Sequence, residues 1–157
     1  QVEHFGDKGM VALVVQALSG HPSNKAVHTS GCECLGHIVA HNPRLQSQAF
    51  SAEAVKVVVN SLSCFKSDPS VAGRAISCLV SLGLDHPPNA QAMYSMGVRE
   101  MLTSLCRHWK GKSEVEEACD RALLVLDAYE AGHMADKPLD HGSEGDYEGD
   151  GAGSDSG

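Results

Sequence analysis

Cysteine and histidine occur close together in one short segment, where they have the residue types of a metal site. Cys32, Glu33 and Cys34 are flanked by His28 and His37. Tetrahedral zinc needs four ligands that converge on one point. If the segment is helical, Cys32 and Cys34 lie about 200° apart around the helix axis, so their side chains diverge. The spacing therefore favours packed side chains over a zinc site, and we predict no metal and no cofactor.

The rest of the chain shows no arrangement typical of catalysis. Nine histidines are scattered along the sequence, and none belongs to a recognisable set of nucleophile, base and orienting group. The glycines between residues 142 and 153 are not followed by a helix, as a phosphate-binding loop requires. We therefore predict that the protein is not an enzyme and takes no small-molecule substrate.

Charge and hydropathy argue against two further classes of function. The 157 residues carry a formal net charge of −8, and no basic face suggests a nucleic-acid binder. No apolar run approaches the ~18 residues of a membrane span, and no signal peptide opens the chain at Gln1. We therefore expect a protein partner, with no nucleic acid and no membrane.

The cysteines pose a choice between disulfides and buried thiols. All six lie in or beside apolar stretches with helical periodicity, where a free cysteine behaves as a small hydrophobe. We therefore predict reduced, packed thiols in an intracellular compartment. They are Cys32, Cys34, Cys64, Cys78, Cys106 and Cys119.

The chain aligns with itself at a spacing of 44 residues, and this repeat organises the sequence. Val27, Val71 and Val115 coincide in the alignment. The matched positions step by four, three, one and three residues, which is typical of one face of a helix. These positions are predicted to form the core. In the first copy they are Val27, Gly31, Cys34, Leu35 and Ile38.

Proline and capping residues divide each copy into a short, a middle and a long helix. Asn42-Pro43 and His86-Pro87-Pro88 end long helices, and Asp68 before Pro69 is typical of an N-cap. The run Ser113 to Glu116 has the pattern of a capping box. We predict long helices near residues 24–41, 69–85 and 113–130, and a remnant of a short helix over residues 1–5.

This pattern resembles armadillo repeats of the long-loop variety, in which a step such as His21-Pro22 separates the middle and third helices. HEAT repeats are the near neighbour. The resemblance covers residues 1 to about 130 and implies an all-α fold, an armadillo-like right-handed α-solenoid of about three repeats. We expect repeats at residues 1–41, 42–86 and 87–130. The first is expected to be truncated, because the chain starts without a methionine and looks like a piece of a larger protein.

In such a solenoid the third helices line a concave face, so we expect their outward positions to contact a partner. The alternative is a solvated helix face. The candidates are Ser30, Glu33, His37, His41, Arg74, Ser77, Ser81, Asp85, Ala118, Arg121 and Val125. Trp109, in the basic stretch from Arg107 to Lys112, is a further candidate because tryptophan is common in binding hot spots. Packing at the end of the stack is the alternative for Trp109.

Armadillo proteins that bind extended peptides carry asparagine, often beside tryptophan, at a fixed point of the third helix. Both are absent at the matching positions of this chain. The asparagine positions are His37, Ser81 and Val125, and the tryptophan positions are Gly36, Val80 and Leu124. We therefore expect the partner to present a folded surface or a helix rather than an extended backbone.

The last 27 residues, 131–157, differ in composition from the rest. They contain seven acidic residues, one basic residue (Lys137) and little apolar surface, so we predict a disordered acidic tail. Such a tail either docks on basic surface, in a partner or in the chain's own basic loop, or only aids solubility.

The function expected from these observations is a non-catalytic scaffold or adaptor module for protein–protein interaction. Two alternatives stay open. One is a nucleotide-exchange factor for Hsp70 of the armadillo type, which grips the chaperone with its concave face. The other is a regulatory segment of a larger multidomain protein. The resemblance implies a cytoplasmic or cytoskeletal setting, including a ciliary one.

Overall fold

A computed structural model describes the backbone of residues 2–136 and the side chains of residues 9–133. Within residues 2–136 the chain forms eight α-helices and no strand, so the predicted all-α class is confirmed. The helices are α1 (Val2–Gly20), α2 (Lys25–Val39), α3 (Pro43–Ser51), α4 (Ala54–Cys64), α5 (Pro69–Gly83), α6 (Pro87–Ser95), α7 (Val98–His108) and α8 (Ser113–Asp136).

Helices at matching positions of the 44-residue alignment have equal lengths. The pair α2 and α5 has 15 residues each, α3 and α6 have nine, and α4 and α7 have 11. Capping side chains explain where these helices begin, and of those at α3 and α5 only Asp68 was predicted as an N-cap. Asp68 Oδ1 accepts hydrogen bonds from the backbone N–H groups of Ser70 (3.0 Å) and Val71 (3.3 Å). Asn42 Oδ1 caps α3 in the same way, through the N–H of Leu45 at 3.1 Å.

Several predicted boundaries differ from the structure. Residues 1–5 do not form a separate short helix, because α1 is continuous from Val2 and Gly9 stays helical within it. The capping box at Ser113 is wrong, since Ser113 is already the first residue of α8. Glu116 instead accepts a hydrogen bond from the N–H of Gly111 at 3.1 Å. α8 continues past residue 130 to Asp136, and the remainder of the predicted tail lies outside the described residues.

The core is built around α5, which packs between α2 and α8. α5 buries both of its flanks, and Leu79 and Ile76 are completely inaccessible to solvent. α2 buries the flank that it turns towards α5, and so does α8. A buried leucine of this kind contributes roughly 2–3 kcal/mol of transfer free energy.

This arrangement corrects part of the predicted core. Val27, Gly31 and Ile38 are only half-buried, and Cys34 is exposed, because they lie on the flank of α2 that is turned away from α5. Their counterparts on α5 and α8 are buried, with Cys78 an example. All six cysteines are free thiols, but the prediction that all are packed is wrong for Cys34 and also for Cys64 at the end of α4.

Two buried amide side chains attach the short helices to the end of α5. Gln46 Nε2 on α3 donates to the carbonyls of Ser81 (2.8 Å) and Leu84 (3.0 Å). Asn89 Nδ2 on α6 donates to the carbonyls of Leu82 (2.9 Å) and Gln46 (3.1 Å). The last carbonyls of a helix have no partner within the helix, so these amides supply donors that burial would otherwise deny them.

The entry to the middle helices requires a left-handed backbone. Gly97 has φ +76° immediately before α7, and Glu53 has φ +60° at the equivalent place before α4. Glycine adopts this conformation freely, whereas a residue with a Cβ is strained by roughly 1 kcal/mol or more. The copy with Glu53 therefore carries strain that the copy with Gly97 avoids.

We expect Glu53→Gly to raise the free energy of unfolding by about 1 kcal/mol, because it relieves the left-handed strain. Urea denaturation followed by circular dichroism measures the change. The control is the same substitution at exposed Glu117 inside α8, which should lower the free energy of unfolding by about 1 kcal/mol through its helix propensity. Destabilisation by Glu53→Gly would contradict the assigned backbone conformation.

His86 caps α6 with a neutral ring. Its Nδ1 accepts a hydrogen bond from the N–H of Asn89 at 3.3 Å, so the ring proton sits on Nε2, which donates to Ser47 Oγ at 3.2 Å. Burial lowers the pKa of His86 below its ordinary value of 6.5, because the charged ring is poorly solvated there. In the unfolded chain His86 has the ordinary pKa of 6.5. The stabilisation by the neutral ring is therefore complete above pH 6.5, and it is lost as the pH falls below 6.5 towards the lower pKa of the folded state.

We therefore expect His86→Asn to reduce the loss of stability between pH 8 and pH 5.5. Asparagine caps a helix without titrating, as Asn42 already does at the equivalent position. Urea midpoints at the two pH values measure the effect, with exposed His108→Asn as the matched control. If both variants show the same pH dependence as the unmodified chain, the capping role of His86 is wrong.

Candidate functional site

The three helices α2, α5 and α8 form an open groove of about 410 Å³. We call it the α2–α5–α8 groove. It collects residues that lie up to 89 positions apart in the sequence, from Cys32 to Arg121. Its lining consists of Cys32, Glu33, Gly36, His37, Arg74, Ser77, Cys78, Val80, Ser81 and Arg121. Six of these are predicted partner-binding residues: Glu33, His37, Arg74, Ser77, Ser81 and Arg121.

Arg74 connects α5 to α2 across the groove. Its Nε lies 3.5 Å from Glu33 Oε1, and its Nη1 donates to Ser70 Oγ at 2.8 Å. Both members of the ion pair are about half exposed, with side-chain accessibilities of 41% and 51%. An exposed pair of this kind contributes about 0–1 kcal/mol to stability, so its role is to hold the guanidinium over the groove more than to hold the fold.

Arg121 repeats this bridging one helix further on. Its Nη2 donates to Ser77 Oγ at 3.4 Å, which connects α8 to α5. The two guanidinium groups and one carboxylate leave the groove with an excess of one positive charge, counting His37 as neutral. The arrangement can therefore accept a carboxylate, because guanidinium binds carboxylates through paired N–H donors.

The floor of the groove consists of small side chains. A Cβ added to Gly36 would lie 3.5 Å from the Cα of Cys78, which shows how closely α2 approaches α5. Burial raises the pKa of the Cys32 thiol to about 11, although a hydrogen bond with Ser61 opposes the shift. Burial also raises the pKa of Cys78 well above its usual range. These thiols are packing residues with little nucleophilic thiolate.

Four of the predicted partner-binding residues lie outside the groove. Ser30 is exposed on α2 and does not line the groove. His41 and Asp85 follow the ends of α2 and α5, each with φ +56°. Trp109 is half-buried in the loop before α8, and its Nε1 donates to the carbonyl of Lys66 at 2.9 Å. Trp109 thus joins the loop before α8 to the loop before α5.

Two further candidates do not face solvent at all. Ala118 and Val125 were expected on the groove face, but both are buried, at 0% and 6% exposure. In α5 the equivalent positions, Arg74 and Ser81, are partly open. In α8 this flank is pressed against α5, so the same register position becomes core.

The residues first considered for metal binding do not come together. Cys32 is buried and Cys34 is exposed, as their divergence on a helix predicts. His28 is buried between Ser61 Oγ, 2.6 Å from Nδ1, and the carbonyl of His21, 2.9 Å from Nε2. Among the residues with described side chains, no three histidine, cysteine or acidic side chains form a group that could hold a metal ion. Ser61 is completely buried, so its contact with His28 is structural.

The groove also contains residues that the sequence did not assign to it. Cys32, Gly36, Cys78 and Val80 contribute its floor and walls. The sequence contains one indication for two of them, because Gly36 and Val80 each come directly before a predicted groove residue, His37 and Ser81. Only the distance between α2 and α5 decides that the cleft is deep enough to include them.

Comparisons with protein-family models, with curated proteins and with solved structures found no match. None of the helices within residues 2–136 is both long enough and apolar enough to cross a membrane.

We expect thiol reagents to separate the cysteines by location. At pH 8 iodoacetamide should modify exposed Cys34 and Cys64 first. A thiol with a pKa of about 11, such as Cys32, holds only about one thiolate in a thousand at that pH. Cys78 and Cys119 should also resist, since burial raises the pKa of Cys119 to about 12. Peptide mass spectrometry measures the rates, and 6 M guanidinium is the control that should equalise them. Equal rates in the native protein would contradict the packing of α2 on α5.

Proposed function

We propose that this chain is a non-catalytic module for protein–protein interaction, which binds a protein partner in the α2–α5–α8 groove. It acts as a scaffold or adaptor and is built as an armadillo-like solenoid. The observation that carries the proposal is the convergence of Glu33, His37, Arg74, Ser77, Ser81 and Arg121 on one open surface. These residues come from three helices that are 44 residues apart in sequence register.

The repeated packing supports the solenoid part of the proposal. α2 packs on α5 and α5 packs on α8 through equivalent faces, while α3 and α6 lie at equivalent places beside them. A stack of this kind has a core shared between neighbours and an extended surface available for binding.

The chemistry of the groove defines the kind of partner that fits. Arg74 and Arg121 present two guanidinium groups on adjacent helices, with Ser77 between them. The asparagine ladder that holds an extended backbone is absent at His37 and Ser81. We propose that a helix or a folded surface inserts an acidic side chain between the arginines.

Reversing both charges tests this directly. We expect Arg74→Glu combined with Arg121→Glu to weaken binding of the partner by at least about tenfold, since an acidic side chain would meet like charge. The partner is first identified by affinity capture with the full chain and mass spectrometry, and its Kd is then measured by isothermal calorimetry. Because the arginines form exposed contacts, the melting temperature should change little.

The matched control carries the same charge change on a different surface. Lys66→Glu with Lys110→Glu alters two exposed lysines near Trp109, outside the groove. This variant should retain the affinity of the unmodified chain. Binding that survives Arg74→Glu/Arg121→Glu and fails in the control would move the interface to the Trp109 loops.

The resemblance-based alternative, nucleotide exchange on Hsp70, remains a prediction with its own assay. Release of a fluorescent nucleotide from Hsp70 is followed with the chain in excess. Acceleration that the groove variant abolishes would make Hsp70 the partner, and no acceleration would remove this alternative.

A further inference from the structure

Two adjacent loops carry a concentration of positive charge. The loop before α8 contains Trp109, Lys110 and Lys112, and Arg107 lies just ahead of it in the last turn of α7. The loop before α5 contains Lys66. The two loops are held together, because Trp109 Nε1 donates to the carbonyl of Lys66 at 2.9 Å. We call Lys66, Arg107, Lys110 and Lys112 the basic patch.

The four cations of the basic patch are exposed, and none forms an ion pair within the described part of the chain. Cations elsewhere are engaged. Arg99, for example, contacts Asp127 at 2.8 Å and Glu130 at 3.0 Å. Ten lysines and arginines have described side chains, so this patch holds four of the ten. In a chain with a net charge of −8, it is a local positive region that attracts an anionic group.

The carboxylates nearest to the basic patch in sequence do not neutralise it. Asp68 follows Lys66 by two positions, but it is paired with Lys25 at 2.7 Å. Glu114 and Glu116 lie in the first turn of α8. If both are counted against the four cations, an excess of two positive charges remains. The patch is therefore short of anions.

The chain itself supplies an anionic segment of matching charge. From residue 141 to residue 157 the sequence has five acidic residues and no lysine or arginine. The other residues there are mainly glycine and serine, which offer little apolar surface for docking elsewhere. Any affinity of this segment for the folded part must therefore come from its carboxylates. These are Glu144, Asp146, Glu148, Asp150 and Asp155.

The length of α8 decides which carboxylates can reach the basic patch. α8 runs from Ser113, next to Lys112, to Asp136, a distance of about 35 Å. A segment that leaves Asp136 must return over this distance, and an extended chain covers at most about 3.6 Å per residue. Glu148 and Asp150 can span about 43 and 50 Å from Asp136 at full extension, so both can reach the patch.

The two acidic residues nearest to α8 cannot do the same. The backbones of Asp140 and Glu144 can move only about 14 and 29 Å from Asp136. This limit holds only for a segment that docks on its own chain, because the segment of a second copy can approach from any side. The positions of the docked carboxylates therefore distinguish the two cases.

The α2–α5–α8 groove is the weaker site for this segment. Its two arginines already contact Glu33, Ser70 and Ser77, and its excess is one positive charge. The basic patch offers four cations without an ion-pair partner among the described residues. Charge complementarity therefore favours the basic patch.

We propose that the basic patch is the docking site of the chain's own residues 148–155, whose carboxylates pair with the cations of the two loops. Exposed pairs are individually weak and are screened by salt, so docking is strongest at low ionic strength. The docked segment neutralises the patch and competes with any other polyanion for the same cations. The patch and the groove share no residue, so either proposal can fail without the other.

Carbodiimide crosslinking in the full chain at low ionic strength tests the docking. The reagent joins a lysine amine to a carboxylate in direct contact, and peptide mass spectrometry identifies the pair. We expect links from Glu148 and Asp150 to the lysines of the basic patch, at least about tenfold more abundant than links to exposed Lys56, because tethering raises the local concentration only where charges match. The yield should not depend on protein concentration.

Two outcomes of the crosslinking would overturn the proposal. Equal linking to Lys56 and to the basic patch would show that the segment has no preferred site. Links from Asp140 to the patch, with a yield that rises with protein concentration, would make a second copy the occupant.

The single tryptophan of the chain, Trp109, lies in the patch and gives a second readout. Gly153 is replaced by p-nitrophenylalanine, which quenches tryptophan fluorescence at short range. We expect the quenching to fall at least about twofold between about 20 mM and about 500 mM NaCl, as screening releases the segment. The chain without the probe measures the direct effect of salt on Trp109. Equal quenching at both salt concentrations would contradict the docking.

Single charge reversals assign the interaction to the patch. Lys110→Glu should lower the quenching at low salt, because it places like charge beside the segment. Lys56→Glu makes the same charge change at an exposed lysine of α4 and should leave the quenching unchanged. Each variant is also measured without the probe, which removes direct effects on Trp109. Equal quenching in the two variants would refute the role of the patch.

Neutralising pairs of carboxylates tests the limit of reach. Glu148→Gln with Asp150→Asn should lower the quenching, whereas Asp140→Asn with Glu144→Gln removes the same charge and should not. The reverse result would overturn the proposal. Relief of quenching by reversing the two groove arginines, in place of Lys110, would overturn it as well and would locate the segment in the groove.

Discussion

The close packing of α5 between α2 and α8 is the constraint on which the rest of the structure depends. Small residues make it possible, and Gly36 lies so close to α5 that a Cβ added to it would be in van der Waals contact with the Cα of Cys78. Aliphatic residues such as Leu79 then become completely buried. Because a helix can bury an apolar flank only against another helix, each member of this layer relies on its neighbours for most of its core.

The same packing decides the character of the groove. Where α2 and α5 meet, their small residues leave a depression, and the longer side chains at its margin reach across to the neighbouring helix. Arg74 contacts Glu33 and Arg121 contacts Ser77, and in each pair the two residues are 41 to 44 positions apart in sequence, close to one repeat. These contacts are exposed and contribute little to folding. They set the direction of the guanidinium groups, which present paired N–H donors at the groove.

The molecule presents two surfaces of different chemistry. The long helices carry a polar groove of mixed charge, whereas α3, α4 and α6 surround an apolar cleft that Asn89 lines. The Oδ1 of Asn89 is buried and has no hydrogen-bond partner within the described part of the chain. The amides of Gln46 and Asn89 account for the second surface, because they bind α3 and α6 to the end of α5 and fix the gap between them.

The residue pattern of the chain was enough to predict the all-α class, the spacing of the helices along the chain, and the cap at Asp68 without any coordinates. Such features depend on residues within one or two turns of each other, so the sequence contains all the information they need. Burial is different, because it depends on what lies beside a helix. Ser30 and Ala118 share one register position, yet Ser30 is exposed and Ala118 is core, because the two positions have different neighbours in the fold. The depth of the groove at Gly36 and the orphaned oxygen of Asn89 likewise arise from distances between helices that are far apart in sequence, and only the tertiary structure sets those distances.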